Sequence, residues 1–397
     1  MAFIKYALPV LAAAQAVFAA DCGEGDTIKI RSQSDLDGYN TCKTLDGDVE
    51  LDKALTGTVT INGVERIKGA LTSNGASNIS SLLAPNLETI DDSFHLEGLT
   101  GLTSLEFAQL TKVGDIDFTA LPLLQTLGFT EGVTEAGSVS ITNTGLTSLA
   151  GITLNRVGSF IITDNTQLET VDVNELKNAT NLINFAGNYH ELEISLPNLA
   201  TGTNLTIRNV SSVSIPSLTK LEGQLGFWGN TLSSLAAPNL TETGDLVFED
   251  NANLNNLSLP QLKTVNGGFL ITRNDELGRL RFPKLETVTG AIDFSGAFDE
   301  ADLPSLKNVR GGFNMQSTGN FSCDTFDNLK DNTIHGTYEC EAETENPTAS
   351  DGSSGSNTTP TSDGDDATPT DAAILTAANL PIMGVAAIFG VLVQYVL

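Results

Sequence analysis

The sequence contains few of the residues from which catalytic and metal sites are usually built. Its 397 residues include three His, one Trp and four Cys. Positive charge is scarce as well, because 20 Lys and Arg stand against 49 Asp and Glu, and the formal net charge is −29. A nucleic-acid interface needs a basic face to neutralise phosphates, so this balance argues against nucleic acid as a partner.

The sequence does contain enough apolar surface for a folded core, with 40% hydrophobic residues. That fraction is too high for a wholly disordered acidic chain. Four Cys in so long a chain cannot hold the whole fold together, so any disulfide must act locally. They include no Cys-x-x-Cys pair, which argues against a metal site. We therefore expect no cofactor and no metal.

Residues 1–19 have the pattern of a secretory signal. Lys5 precedes an apolar run over residues 6–16, and small residues lead up to Ala19. The alternative is an N-terminal membrane anchor, but the run is shorter than the roughly 20 residues that span a bilayer. We predict cleavage after Ala19 and entry into the secretory pathway.

The C-terminal residues 381–397 carry no charge, and no Lys or Arg follows Lys330. A transmembrane helix would normally be followed by basic residues. Small residues, a spacer and an apolar tail are typical instead of a glycosylphosphatidylinositol (GPI) attachment signal. We predict Asp371 as the acceptor, with Gly364 as the alternative, and residues 372–397 as the propeptide that is removed. The protein would then lie on the outer face of the plasma membrane, with the cell wall as a further location.

Residues 341–371 are rich in Thr, Ser, Pro, Gly and acidic residues, and they cannot bury a core. We predict an extended acidic stalk, O-glycosylated where Ser and Thr lie beside Pro; an unglycosylated linker is the alternative. The folded body would occupy residues 20–340.

A proline-containing tetrapeptide repeats through the second half of this body, with spacings of 19, 22, 22, 23 and 21 residues. The six copies begin at Leu196, Ile215, Ala237, Leu259, Phe282 and Leu303. Between them, apolar residues alternate in short bursts such as Phe269-x-Ile271, which indicates short strands with one inward face. Three such strands per repeat predict an all-β solenoid, a parallel β-helix of roughly 22-residue turns. We expect about eleven turns and a rod of about 50 Å at ~4.8 Å per turn.

Five asparagines occur at one position of this repeat, three residues after an inward aromatic residue or Ile. They are Asn165, Asn188, Asn230, Asn251 and Asn274. Asparagine tolerates the left-handed backbone of a corner, and stacked Asn side chains can bond to one another. We predict a structural asparagine ladder and favour this role over ligand binding.

A solenoid needs caps, because its end turns expose unpaired edges and apolar surface. Cys22 and Cys42 precede the first clear repeat, and Cys323 and Cys340 follow the last one. Four Cys allow three connectivities. We favour local pairs, Cys22 with Cys42 and Cys323 with Cys340, because the other pairings would have to span the rod.

Parallel β-helices can be polysaccharide-cleaving enzymes, which need converging carboxylates. The candidates are Asp115 and Asp117, then Asp245 and Asp293, each next to a predicted strand start. The three His residues, His95, His190 and His335, are widely separated along the chain. No catalytic or phosphate-binding motif is present. We therefore predict no catalytic residue and no enzyme.

Eight Asn-x-Ser/Thr sequons occur, and none coincides with a ladder position. They begin at Asn78, Asn178, Asn204, Asn209, Asn239, Asn256, Asn320 and Asn357. In a secreted chain they predict N-glycosylation.

These features together resemble one family. A signal, Cys-bounded repeats such as Leu259-Pro-Gln-Leu262-Lys-Thr-Val265-Asn-Gly-Gly-Phe269-Leu-Ile271, a stalk and a lipid-anchor tail are similar to the fungal GPI-anchored cell-wall organisation proteins. Their repeats are similar to the leucine-rich receptor L-domain. Copies before Pro197 depart from the pattern, for example at Leu154-Asn155-Arg156. The resemblance implies a non-enzymatic glycoprotein needed for wall organisation and integrity, with no catalytic residues.

The expected partners are the plasma membrane, through a GPI lipid, and wall polysaccharides or wall glycoproteins. Two alternatives remain open. A ligand-binding receptor or adhesin would need an exposed aromatic or apolar strip, for which Trp228 is the one outward aromatic candidate. A polysaccharide-modifying enzyme would need at least three convergent carboxylates beside a basic group.

Overall fold

Short parallel strands, up to three in each turn, make up almost all of the regular structure. The computed structural model describes residues 22–349. One row of strands, which we call the long row, runs through every turn. It consists of Ile28–Ile30, Val49–Leu51, Leu71–Asn74, Thr89–Glu97, Lys112–Leu121, Ser138–Thr144, Ser159–Thr163, Asn178–Ala186, Thr201–Arg208, Leu225–Trp228, Leu246–Glu249, Phe269–Thr272, Ile292–Gly296, Phe313–Ser317 and Tyr338–Glu341.

Two further rows complete the turns. The second row precedes the long row in each turn and is formed by the starts of the longer strands and by two-residue strands. These are Thr44–Leu45, Arg66–Ile67, Arg156–Val157, Lys220–Leu221, Glu242–Thr243, Thr264–Val265, Thr287–Val288 and Asn308–Val309. The opposite row consists of Gly57–Thr60, Ile79–Leu83, Ser104–Glu106, Thr170–Asp172, Glu193–Ser195, Ser212–Ser214, Ser234–Ala236, Asn256–Ser258, Arg279–Arg281 and Glu300–Asp302. Two short helices, Gln33–Asp37 and Asp324–Asp327, lie near the ends.

Between the two ends of the coil, each long-row strand pairs in parallel with the long-row strand one turn earlier and the one a turn later. Phe248, for example, lies opposite Phe227 on one side and Ile271 on the other. The predicted parallel β-solenoid with turns of about 22 residues is therefore confirmed.

The expected number of turns was wrong, because there are about 14 rather than eleven. Before Pro197 the tetrapeptide occurs only in earlier, scattered copies, at Ala84-Pro85-Asn86-Leu87 and Leu121-Pro122-Leu123-Leu124. Turns without it still form long-row strands such as Ser159–Thr163. The last long-row strand, Tyr338–Glu341, also pairs in parallel with Phe313–Ser317, although it lies in the segment predicted as the C-terminal cap.

Inward side chains of successive turns form apolar columns in the centre of the coil. Phe227 and Phe248 stack with ring centroids 5.4 Å apart and planes 4° apart, and both side chains are buried. Phe269 and Phe294 meet edge to face at 4.8 Å. Burial of a large apolar side chain contributes about 1.5–3 kcal/mol, so this continuous core stabilises neighbouring turns against each other.

The five asparagines lie buried at the corner that follows the long row. The Oδ1 atom of Asn251 accepts bonds from the backbone N–H and the Nδ2 of Asn230, at 3.1 and 2.8 Å. Asn251 Nδ2 in turn donates to the backbone oxygen of Phe227 at 3.1 Å and to Asn274 Oδ1 at 3.0 Å. Asn165 and Asn188 make the equivalent pair. Each ladder side chain thus satisfies buried polar groups of the preceding turn.

Disulfides lie near both ends of the coil, as expected for the caps. Cys22 is bonded to Cys42, and Cys323 to Cys340. The first bridge encloses the first strand and the first helix, while Cys340 itself lies in the last strand of the long row. Each bridge closes a short loop, and loops of this length contribute about 3 kcal/mol by constraining the unfolded chain.

Backbone bonds to the solenoid continue slightly beyond Cys340. Glu343 N–H donates to the oxygen of Gly319, and Thr344 N–H to that of Ser317. The predicted signal, the GPI signal with Asp371 and Gly364, Asn357 and most of the predicted stalk lie outside the described residues. Within residues 22–349, no helix is long and apolar enough to cross a membrane.

We predict that Asn251→Ala lowers the free energy of unfolding by about 3 kcal/mol, because it leaves several buried backbone and amide groups without partners. Chemical unfolding followed by far-ultraviolet circular dichroism measures this change. The matched control is Asn253→Ala, an exposed residue of the same turn, which should change stability by less than about 0.5 kcal/mol. Equal losses in both variants would contradict the structural role of the ladder.

Candidate functional site

One turn is shorter than its neighbours at the corner that follows the long row. In the preceding turn, six positions separate the ladder residue Asn188 from Ile194 on the opposite row. In the short turn Val210 takes the ladder position, since its N–H donates to Asn230 Oδ1. Val213, only three positions later, already pairs with Ile194. The corner wall of this turn therefore lacks three residues, and a notch results.

The notch opens a cleft of about 810 Å³ at the corner of the rod. Residues of the two preceding turns form one wall, Ser211 lies in the short turn, and Thr231 belongs to the turn that follows. We call it the Tyr189 cleft; it is lined by Glu169, Thr170, Tyr189, His190, Glu191, Glu193, Ser211 and Thr231. Because these residues come from four consecutive turns, the cleft runs along the rod.

Hydrogen bonds between turns fix the cleft in place. The hydroxyl of Ser211 donates to the backbone oxygen of Glu191 at 2.8 Å, and its N–H donates to that of Leu192 at 3.1 Å. The N–H of Glu193 donates to the backbone oxygen of Glu169 at 3.1 Å. The cleft is thus built on the sheet and its corner bonds, which makes it largely preformed.

Tyr189 is half-buried and supplies the aromatic surface of the cleft. Its hydroxyl donates to Glu191 Oε2 at 3.1 Å, and its ring meets the His190 ring edge to face at 4.7 Å. The hydrogen bond to Glu191 and the charges of Glu191 and Glu169 raise the pKa of Tyr189 above its ordinary value. The raised pKa indicates a negative potential at the ring hydroxyl.

The cleft combines an aromatic ring with three carboxylates, an imidazole and three Ser or Thr hydroxyl groups. Glu169, Glu191 and Glu193 are all exposed, and no Lys or Arg is among the residues that line the cleft. Such a set can stack on an apolar ring face, accept hydrogen bonds and attract positive charge. Within the described residues, no group of three or more His, Cys, Asp or Glu side chains could hold a metal ion.

A second groove, of about 850 Å³, lies between the second row and the long row. Part of its wall is bare backbone. At Gly137, for example, a Cβ atom would lie only 2.8 Å from the backbone oxygen of Gly114. Of its charged side chains, Lys112 is paired with Glu135 at 2.9 Å. Unlike the Tyr189 cleft, this groove has no aromatic side chain among its lining residues.

The four predicted carboxylates do not converge into one cluster. Asp115 and Asp117 lie on one strand, whereas Asp245 and Asp293 lie several turns away. Asp245 accepts a bond from the N–H of Gly268 at 2.8 Å, and Asp293 accepts one from Asn314 Nδ2 at 2.8 Å. These latter two carboxylates support the adjacent turns.

The structure brings one His to a predicted carboxylate. His95 Nδ1 lies 3.0 Å from Asp117 Oδ2 on the neighbouring turn, and its Nε2 lies 3.6 Å from Glu97. Sequence reasoning missed this contact, although the 22-residue separation equals one turn. His190 lies in the Tyr189 cleft, and His335 lies near the C-terminal end, where its N–H donates to Val309.

Sequence reasoning also missed the cleft itself. The signal was the 19-residue spacing between Pro197 and Pro216, which is shorter than the other spacings. Such a spacing shows that residues are missing from one turn, but it does not show at which corner. Tyr189 and the three glutamates carry no recognisable motif of their own.

Trp228 lies on the outer face of the long row, where two aliphatic residues also lie. Its ring covers Gly226, where a side chain would collide with it, and the guanidinium carbon of Arg208 lies 4.2 Å from the ring centroid. Val247 and Leu270 follow on the next two strands. Trp228 therefore makes a cation–π contact and packs over the sheet.

The sequons within the described residues lie at the surface or partly buried. Exposed positions are Asn78, Asn209, Asn239, Asn256 and Asn320, while Asn178 and Asn204 are half-buried. The Oδ1 of Asn204 accepts a bond from the N–H of Gln224 at 2.9 Å, which leaves its Nδ2 as the attachment atom.

Comparison with known proteins places this geometry in a biological context. A family model described as "Ecm33: GPI-anchored cell wall organization protein" matches residues 1–40. "Protein ecm33" of Aspergillus fumigatus is 61% identical over 399 residues, with all of both chains covered.

Two more distant relatives carry similar names. "Cell surface GPI-anchored protein" of Arthroderma benhamiae is 42% identical, over 89% of this chain and 92% of the relative. "Cell wall protein ecm33" of Schizosaccharomyces pombe is 32% identical, over 81% of this chain and 78% of the relative.

We predict that Glu191→Gln lowers the pKa of Tyr189 toward its ordinary value, because the variant removes the charge that disfavours the phenolate. Nuclear magnetic resonance titration of ring-labelled tyrosines measures the shift. The control is Glu276→Gln, since Glu276 precedes Leu277 at the corner of another turn as Glu191 precedes Leu192. An unchanged Tyr189 titration in the Glu191 variant would show that the two side chains do not interact.

Proposed function

Because the chain belongs to the Ecm33 family of GPI-anchored cell wall organization proteins, we propose that it organises the fungal wall by binding wall polysaccharide from a membrane-anchored position. It is a cell-surface protein of the fungal wall, and its relatives are named as cell wall and GPI-anchored proteins. Binding of wall polysaccharide or wall glycoproteins is the step that goes beyond these names.

The Tyr189 cleft is the observation that carries this proposal. Sugar rings present an apolar face and a rim of hydroxyls, so their sites combine an aromatic side chain with polar groups. Tyr189 supplies the ring, while Glu191, Ser211 and Thr231 supply polar groups along the rod. A site on a stacked sheet keeps these groups in place without an ordering cost.

We propose that the protein binds without cleaving. Glycosidases keep one carboxyl group protonated by apolar burial and place a second one opposite it. The three glutamates of the cleft are exposed, and the predicted carboxylates Asp115 and Asp117 lie on the strand Lys112–Leu121, outside the lining of the cleft. Neither arrangement supplies a buried acid.

The proposed domain organisation places this body at a distance from the membrane. Residues 1–19 would be removed as the signal, and residues 372–397 would be replaced by the lipid at Asp371 or Gly364. The stalk, residues 341–371, would hold the solenoid up to about 100 Å from its attachment point at ~3.3 Å per residue. N-glycans at the exposed sequons would keep the rod soluble within the wall.

A receptor or adhesin function is the second candidate. Trp228, Val247 and Leu270 lie on three adjacent strands and form a partly apolar strip on the outer face. Val247 is only 9% exposed, however, so this strip offers little free apolar area.

We predict that the secreted, lipid-released protein is retained on insoluble wall polysaccharide and releases no soluble sugar from it. Co-sedimentation measures retention, and a reducing-end assay measures cleavage. Tyr189→Ala should weaken retention, because it removes the stacking surface, whereas Trp228→Ala should not.

Release of sugar would favour the enzyme. Absence of retention would refute polysaccharide binding and would favour a protein ligand at the Trp228 strip.

A further inference from the structure

We infer that the Tyr189 cleft selects amino-sugar units that carry protonated amines, such as the glucosamine units of a deacetylated polysaccharide. This inference rests on the proposed function and names the class of polysaccharide. It follows from the charge, the shape and the aromatic surface of the cleft.

The first argument is charge complementarity. Glu169, Glu191 and Glu193 line the cleft, and all three carboxylates are exposed to an incoming ligand. The only basic group among the lining residues is His190, whose Nε2 faces Glu191 Oε1 at 3.8 Å. A neutral imidazole can accept a hydrogen bond from an ammonium group, so His190 adds an acceptor when it is unprotonated.

The second argument is that these carboxylates are left without cations of the protein. Elsewhere on the rod, Lys and Arg pair with carboxylates of the adjacent turn, as in Lys43–Glu65, Lys220–Glu242 and Lys307–Glu286. No Lys or Arg ion pair within residues 22–349 involves a glutamate of the cleft. The cleft therefore lacks the Lys and Arg partners that carboxylates have elsewhere on the rod, and it also lacks three residues of the corner wall.

The third argument is geometry. Lining residues from four consecutive turns extend over about 14 Å at ~4.8 Å per turn. This length accommodates a few units of an extended sugar chain that lies parallel to the rod. Tyr189 can stack on one ring, while the glutamates meet amines of that ring and its neighbours. Ser211 and Thr231 lie at the other end and can bond to hydroxyl groups.

Calorimetric titration of the full-length protein, released from the membrane by phospholipase and treated with endoglycosidase, tests the inference. The probes are hexamers of glucosamine, of N-acetylglucosamine and of β-linked glucose. The glucosamine hexamer should bind at least about tenfold more tightly than the other two, because only it carries positive charge. Added salt should reduce this preference, since the carboxylates are exposed.

The decisive variant is the triple substitution Glu169→Gln, Glu191→Gln and Glu193→Gln. Each exposed carboxylate is expected to contribute about two- to fivefold, so the triple variant should bind glucosamine hexamer on the order of tenfold or more weakly. Neutral hexamers should be little affected. The matched control carries Glu276→Gln, Glu131→Gln and Glu175→Gln, which removes the same charge from exposed positions outside the cleft.

The outcomes separate this inference from the proposed function. Loss of glucosamine binding in the cleft variant, with retention in the control variant, supports the inference. Equal losses in both variants would show unspecific attraction to an acidic protein and would overturn it. Equal binding of all three hexamers, unaffected by either variant, would overturn the inference but leave polysaccharide binding intact. Failure of the wild-type protein to bind any hexamer or any wall polysaccharide would overturn both.

Discussion

The structure depends on hydrogen bonding between consecutive turns of one chain. Each long-row strand pairs in register with positions about 22 residues earlier and later, so equivalent residues form columns along the rod. A column at the corner must bury backbone groups that the strands do not satisfy. Asparagine satisfies them because one side chain can bond at once to its own turn and to the turn before it, as Asn274 does with the backbone oxygens of Thr272 and Phe248. The same register places charges of opposite sign side by side on the surface, as in Lys220 and Glu242.

Function can arise in such a molecule wherever one turn departs from its neighbours. Because each turn contacts only the next, a local shortening is tolerated without disturbing the rest of the stack. The turn at Val210 loses three corner residues yet keeps its pairing through Val213. Side chains that would otherwise pack against that corner, Tyr189 and Glu191 among them, line a cleft instead. The cleft is thus a consequence of a rigid repeat with one missing segment, and the repeat positions its walls.

The features that recur from turn to turn could be predicted from the sequence. A short apolar pattern is ambiguous when it occurs once, but it becomes recognisable when it returns at a constant spacing. The fold class, the inward aromatic residues and the position of the five asparagines follow from the spacing alone. The number of turns could not, because turns such as Ser159–Thr163 use other residues in place of the proline tetrapeptide. The cleft and the His95–Asp117 contact also escaped prediction, since each depends on how one turn aligns with another in space.

Distances along one outward column test the stacking most directly. Thr72, Ser140 and Thr206 belong to the same column of the long row, separated by three turns each. Spin labels at Thr72→Cys and Ser140→Cys should be about 14 Å apart, and labels at Thr72→Cys and Thr206→Cys about 29 Å apart, at ~4.8 Å per turn. Pulsed electron paramagnetic resonance should therefore give a second distance about twice the first. Two distances that do not increase in proportion to the number of turns would contradict an in-register coil.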